Sequence, residues 1–101
     1  MVEVVQDAAA QVDVVREHLE KIGAALRDAR LEAGLTQGEV GQLAGVSRQL
    51  VSRIEQGYNG EISAYVSVAA ALERRVSVVE GTTLTDAQRA ALGRINSSRL
   101  F

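Results

Sequence analysis

The sequence predicts an all-α bundle of about five helices with one short C-terminal β-strand, and three observations carry that prediction. Apolar residues recur at alternating steps of three and four from Val5 through Ala8, Val12, Val15, Leu19, Ile22, Leu26, Ala29 and Ala33, the period of one helical face. Two capping boxes, Thr36-x-x-Glu39 and Thr85-x-x-Gln88, mark further helix starts. The composition agrees, because the 101 residues include no Pro, only two Tyr and one Phe as aromatics, and many Ala, Leu, Arg and Glu.

Taken in order, the first helix is strongest over about Val14 to Ala33, where charged residues fill the outer positions and Gly34 supplies a left-handed C-terminal cap. Its opening is weaker, since Val2, Val4 and Val5 are β-branched and lose side-chain freedom in a helix. Thr36 and Glu39 then open a short helix that ends near Ala44, and Gly45 permits a tight turn. Ser47 caps a further helix through Arg48, Gln49, Leu50, Val51, Ser52, Arg53, Ile54 and Glu55, which Gly57 closes. Two helices of two to three turns joined by a three-residue Gly turn form a helix-turn-helix pattern. Ile62 to Leu72 reads as a nearly all-apolar helix suited to the core. The β-branched stretch from Arg75 to Glu80, with Ser77 between Val76, Val78 and Val79, breaks the helical period and reads as a strand. A last short helix runs from Asp86 to about Ile95, followed by a frayed polar tail.

Length and composition exclude several classes of function. A chain of this size is one domain with short tails, and Cys 0 removes disulfides, thiolate zinc sites and cysteine nucleophiles. No apolar run reaches the ~20 residues of a membrane span, and the start lacks the basic opening of a signal peptide, so a cytoplasmic protein with no membrane partner is expected. His18 is the single His, and Ser47, Ser52, Ser63 and Ser67 have no neighbouring base in the sequence, so the chain is expected to be no enzyme and to hold no metal or cofactor. Charge is unevenly spread. Glu3, Asp7 and Asp13 leave residues 1–15 acidic without any base, whereas residues 62–101 carry five Arg against three acids. The net charge of −2 argues against a nonspecific nucleic-acid coat, which must neutralise many phosphates.

The stretch from Leu35 to Gly57, LTQGEVGQLAGVSRQLVSRIEQG, resembles the Cro/CI (XRE) helix-turn-helix family, with similarity over about Ile22 to Leu72. The resemblance implies a λ-repressor-like bundle acting as a two-fold dimer on a double-stranded DNA operator. By this correspondence Gln37 binds a DNA phosphate beside a helix N-terminus. Ser47, Arg48, Gln49, Ser52 and Arg53 complete the DNA-binding set. Arg48, Gln49, Ser52 and Arg53 share one helix face opposite Val51 and Ile54, and Arg and Gln suit guanine and adenine edges respectively. Arg30 and Glu55 match the family's structural ion pair. A small residue at Gly41 lets two helices cross closely, while Val40, Val46, Val51 and Ile54 form the buried faces. Three departures stand out: Gly41 replaces the usual Ala and Gly38 adds a second helix-weakening residue. The loop Gly57 to Glu61 lacks the Lys and Arg often found there. A strand replaces the usual fifth helix.

That strand is similar to the one that pairs across the dimer in HipB-like and HigA-like antitoxins, which makes Val76, Val78 and Val79 dimerisation residues. Together with the acidic N-terminal segment it implies a HigA-type antitoxin that neutralises a RelE/HigB-like mRNA-cleaving toxin and autoregulates its operon. The expected organisation is residues 1–20 as a partner-binding segment or helix extension, 21–73 as the DNA-binding domain, and 74–101 as dimerisation strand and tail. The N-terminal stripe has two readings: self-packing of an extended first helix, or a partner-binding segment presenting Val5, Val12, Asp13 and Val15. Leu50 is expected to stand exposed on the recognition helix, touching either a thymine methyl or a dimer contact. Two functional alternatives remain, a plain XRE-type repressor with no toxin, and a protein-interaction module that uses the helix-turn-helix as a scaffold.

Overall fold

The computed structural model describes the backbone of residues 2–81, 84–90 and 92, and the side chains of these residues from Val14 onward. It is mainly helical. The order is α1 (Val2–Glu32), α2 (Gln37–Ala44), α3 (Arg48–Glu55) and α4 (Ile62–Ala71), with a fifth helix, α5, described over residues 86–90. Glu17–Val78 form one compact unit, and Met1–Arg16 with Val79–Phe101 a second. None of these helices is long and apolar enough to cross a membrane.

In the larger unit the core is built from Leu26, Ala29, Val40, Val51, Ile54, Tyr65, Val68, Ala69 and Leu72, with Leu19, Ile22 and Leu35 packed against it. The apolar stripe of α1 therefore faces this core from Leu19 to Ala29. Ala33, the expected last member, is exposed. The chain leaves the helix at Gly34 (φ 71°), and Leu35 folds back to the core in its place.

The short helices are held by their ends. Thr36 Oγ1 accepts the Glu39 N–H at 3.1 Å while the Glu39 carboxylate accepts the Thr36 N–H at 2.9 Å, closing the capping box. The bond from the Thr36 N–H favours the ionised carboxylate and, with the Thr36 side chain beside it, lowers the Glu39 pKa. Gly45 ends α2 in the left-handed conformation at φ 73°, and the Val46 N–H returns to the Gly41 carbonyl at 3.0 Å. Ser47 Oγ then accepts the Leu50 N–H at 3.0 Å to start α3. An isolated helix of eight residues is unstable in water, so tertiary packing must hold both.

Two close approaches fix the crossing of these helices. A Cβ on Gly41 would lie 2.7 Å from the Val46 carbonyl oxygen, so the turn packs directly on the α2 backbone. A Cβ on Gly23 would lie 2.3 Å from the Ile54 carbonyl oxygen, so α1 crosses the end of α3 in backbone contact. Glycine at 41 thus weakens α2 by roughly 1 kcal/mol in intrinsic preference and in return admits the turn.

Two expectations need correction. α4 does not bury all its apolar residues: Tyr65, Val68 and Ala69 face the core, while Ile62 and Val66 are 70% and 46% exposed. Only one side of α4 meets other helices of the unit. Residues 74–81 show neither helix nor strand, and among the described residues the backbone of 75–81 takes no hydrogen bond. A strand needs a neighbouring edge, and none is present among the described residues. Val78 is 99% exposed and Val79 80%, whereas Val76 borders a shallow apolar recess with Ile22, Ala25 and Leu26. The last capping box does form, Thr85 N–H to Gln88 Oε1 at 3.0 Å and Gln88 N–H to Thr85 Oγ1 at 3.2 Å. The expected end of that helix near Ile95 lies outside the described residues.

Candidate nucleic-acid interface

The candidate interface is α3 with the first turn of α2. Val51 and Ile54 are fully buried, which turns the opposite face of α3 outward. On that face Arg48, Gln49 and Arg53 are exposed and Ser52 is half-buried, so four groups able to meet base edges share one surface. Ser47 is spent as the helix cap through its side chain. Leu50, expected to be exposed, is half-buried and packs against the core. It lies one turn before Ile54, close enough in angle to share that flank of the helix.

Glu55, the last residue of α3, is the hub of the site. Arg30 on α1 binds it in a bidentate fork, Nε to Oε2 at 2.6 Å and Nη2 to Oε1 at 3.1 Å. The side chains of the pair are only 11% and 5% exposed. Arg30 also donates Nη1–H to the Leu35 carbonyl at 2.9 Å, which fixes the loop between α1 and α2. Gln37 donates its side-chain amide to Glu55 Oε1 at 3.1 Å, fastening the first residue of α2 to the last of α3. The hydrogen bond to Glu55 raises the Arg30 pKa, so the guanidinium is held charged.

Gln37 thereby has a structural bond that its sequence position does not announce. Its bond to Glu55 occupies one of its two amide hydrogens. Arg27 and Gln56, neither of them singled out in the sequence, join Arg30, Gln37, Ser52 and Glu55 around a polar recess beside α3. Their only signal is spacing: Arg27 precedes Arg30 by three, and Gln56 follows Ser52 by four and bonds its hydroxyl at 3.1 Å. Tyr58 was missed as well. Its ring lies under Arg53, with the guanidinium carbon 5.9 Å from the ring centroid.

The other assigned residues belong to other parts of the chain. The side chains of Val5, Val12 and Asp13 are outside the described residues, and Val15 is half-buried beside Val14, which is buried. Val76, Val78 and Val79 belong to the irregular segment after α4.

The chain matches the family described as a helix-turn-helix domain over residues 21–92, more than half its length. No curated protein matches it.

Because Arg30 and Glu55 are so little exposed, removing one partner leaves the other charge desolvated. Glu55→Ala should cost about 3–5 kcal/mol, while the double replacement Arg30→Met with Glu55→Leu should cost far less. Denaturant unfolding of the two variants checks this, and a Glu55→Ala protein as stable as wild type would refute it.

Proposed function

The chain belongs to the helix-turn-helix domain family, and from that premise we propose that it is a sequence-specific DNA-binding transcriptional regulator that represses its target. The observation that carries this is the outward face of α3, where Arg48, Gln49, Ser52 and Arg53 stand together on a helix fixed from behind by Arg30 and Glu55. A charged, hydrogen-bonding face on a rigid helix is what base reading in the major groove requires. Gln37, at the start of α2, contacts a phosphate and sets the register. In binding selections from random duplexes, Arg48→Ala should cost about 1–3 kcal/mol at the preferred site and relax one base position. Gln37→Ala should weaken all sequences alike. An unchanged sequence preference in Arg48→Ala, measured at fixed salt, would remove α3 from the reading role.

The working form is a two-fold dimer paired through the segment Val76 to Val79. Support comes from Val78 and Val79, two β-branched residues held out to solvent on backbone that has no partner among the described residues. An antiparallel pair across the axis would satisfy that edge and set the recognition helices about 34–36 Å apart, one DNA turn. Val78→Pro removes a ladder donor and should give monomer in sedimentation; an intact dimer would place the interface elsewhere.

The finer reading is an antitoxin that neutralises a RelE/HigB-like toxin and represses its own operon. It is supported by the HigA-like resemblance and by Glu3, Asp7 and Asp13, an acidic segment able to meet the basic surface of an RNA-cleaving enzyme. Deleting residues 1–13, which hold the three acids and precede the buried Val14 and the core-packed Leu19, should abolish rescue of cells that express such a toxin and leave operator binding in place. Rescue by the truncated protein would place the toxin-binding surface elsewhere in the chain, and no rescue by the full chain would favour the plain repressor.

A further inference from the structure

The loop after α3 contains Tyr58, Asn59, Gly60 and Glu61 and no cation to grip a phosphate. Its one large side chain, Tyr58, is 43% exposed beside the proposed DNA-facing surface. An exposed aromatic ring costs solvation, and here two hydrogen bonds fix the Tyr58 backbone while Gly60 packs against the ring. The Tyr58 N–H donates to the Arg53 carbonyl at 2.9 Å. The Tyr58 carbonyl accepts the hydroxyl of Tyr65, itself 4% exposed in the core. The ring lies over Gly60 so closely that a Cβ there would stand 2.2 Å from Tyr58 Cε1. Packed against Gly60, the ring carries the Arg53 guanidinium over it, with the guanidinium carbon 5.9 Å from the centroid.

We propose that Tyr58 is a positioning residue for Arg53, holding its guanidinium against the aromatic face so that it reaches one base edge in a fixed pose. This rests on the DNA-reading function assigned to α3 above. Among the described residues no carboxylate pairs with Arg53, whose long side chain would otherwise sample many rotamers and lose that freedom on binding. A guanidinium packed on a ring keeps its N–H edges available, and the bidentate contact to guanine O6 and N7 uses those edges. Tyr58 carries no charge, so its effect belongs to base choice and leaves the count of phosphate contacts alone.

The test compares Tyr58→Ala, Tyr58→Leu, Tyr58→Phe and Arg53→Ala in quantitative binding selections at several salt concentrations. Discrimination at the base position that Arg53→Ala relaxes should fall about two- to fivefold in Tyr58→Ala, the range of an exposed cation–π contact. Tyr58→Leu, which keeps bulk over Gly60 without a π face, should fall likewise. Tyr58→Phe should read as wild type. The salt slope should not change in any Tyr58 variant, and adding Tyr58→Ala to Arg53→Ala should have no further effect. In the free wild-type protein the Arg53 δ protons should show an upfield ring-current shift that Phe keeps and Leu abolishes. Undiminished discrimination in Tyr58→Ala and Tyr58→Leu, an equal loss in the Arg53→Ala background, or no ring-current shift overturns the proposal. Should the wild type select no sequence at all, the DNA-reading function itself fails, which the selections with wild type alone reveal.

Discussion

The fold of the larger unit depends on one buried carboxylate. Glu55 closes α3, accepts both the Arg30 fork and the Gln37 amide, and so joins three helices at a single point. Arg30 extends the tie to the Leu35 carbonyl. A charge this deep is tolerable only when its lone pairs are filled, and here charge-assisted bonds fill them. The pair need not add net stability over a well-packed apolar substitute. Its consequence is geometric: the end of α3 cannot rotate or slide against α1 without stranding a charge.

Backbone contacts supply the complementary constraint. Where Arg30 and Glu55 pull α1 and α3 together, Gly23 lets the two backbones meet, and Gly41 does the same for α2 and the turn. Val40, Val51 and Ile54 fill the space between at zero exposure. Ion pair, close approach and apolar core thus act on one small region. That concentration lets two eight-residue helices, each too short to persist alone, hold a defined crossing. The exposed face of α3 inherits its orientation from what lies behind it, and Arg53 gains a further support from Tyr58.

Much of this was legible in the sequence, for reasons that differ by residue. Helix starts at Thr36, Ser47 and Thr85 were readable because a cap is a local pattern of two residues. Between Leu19 and Ala29 the stripe of α1 was readable from its period, and at Ala33 the chain turns away from the core. Leu50 misled because it belongs to a helix edge, and whether an edge is covered depends on neighbours distant in sequence. α4 misled in the opposite way, since a run of apolar residues has no period to show which side stays bare. The relation of Arg30 to Glu55, 25 residues apart, has no local signal and came only through resemblance to a family. Gln37 to Glu55, the Gly23 contact with α3 and the Tyr58 support of Arg53 were not foreseen, because each joins elements by side-chain reach or backbone proximity. The strand from Arg75 to Glu80 was inferred from residue type, but a ladder is a property of two edges.

Glu55 makes α1, α2 and α3 one cooperative body, and native-state hydrogen exchange is the measurement that probes it. The amides of α2, of α3 and of α1 between Gly23 and Leu31 should open together, with one common free energy and one common denaturant dependence. Amides of α3 that exchange by a separate, lower-energy opening while α1 stays protected would contradict it. That result would mean the outward face of α3 is not held by the helices behind it.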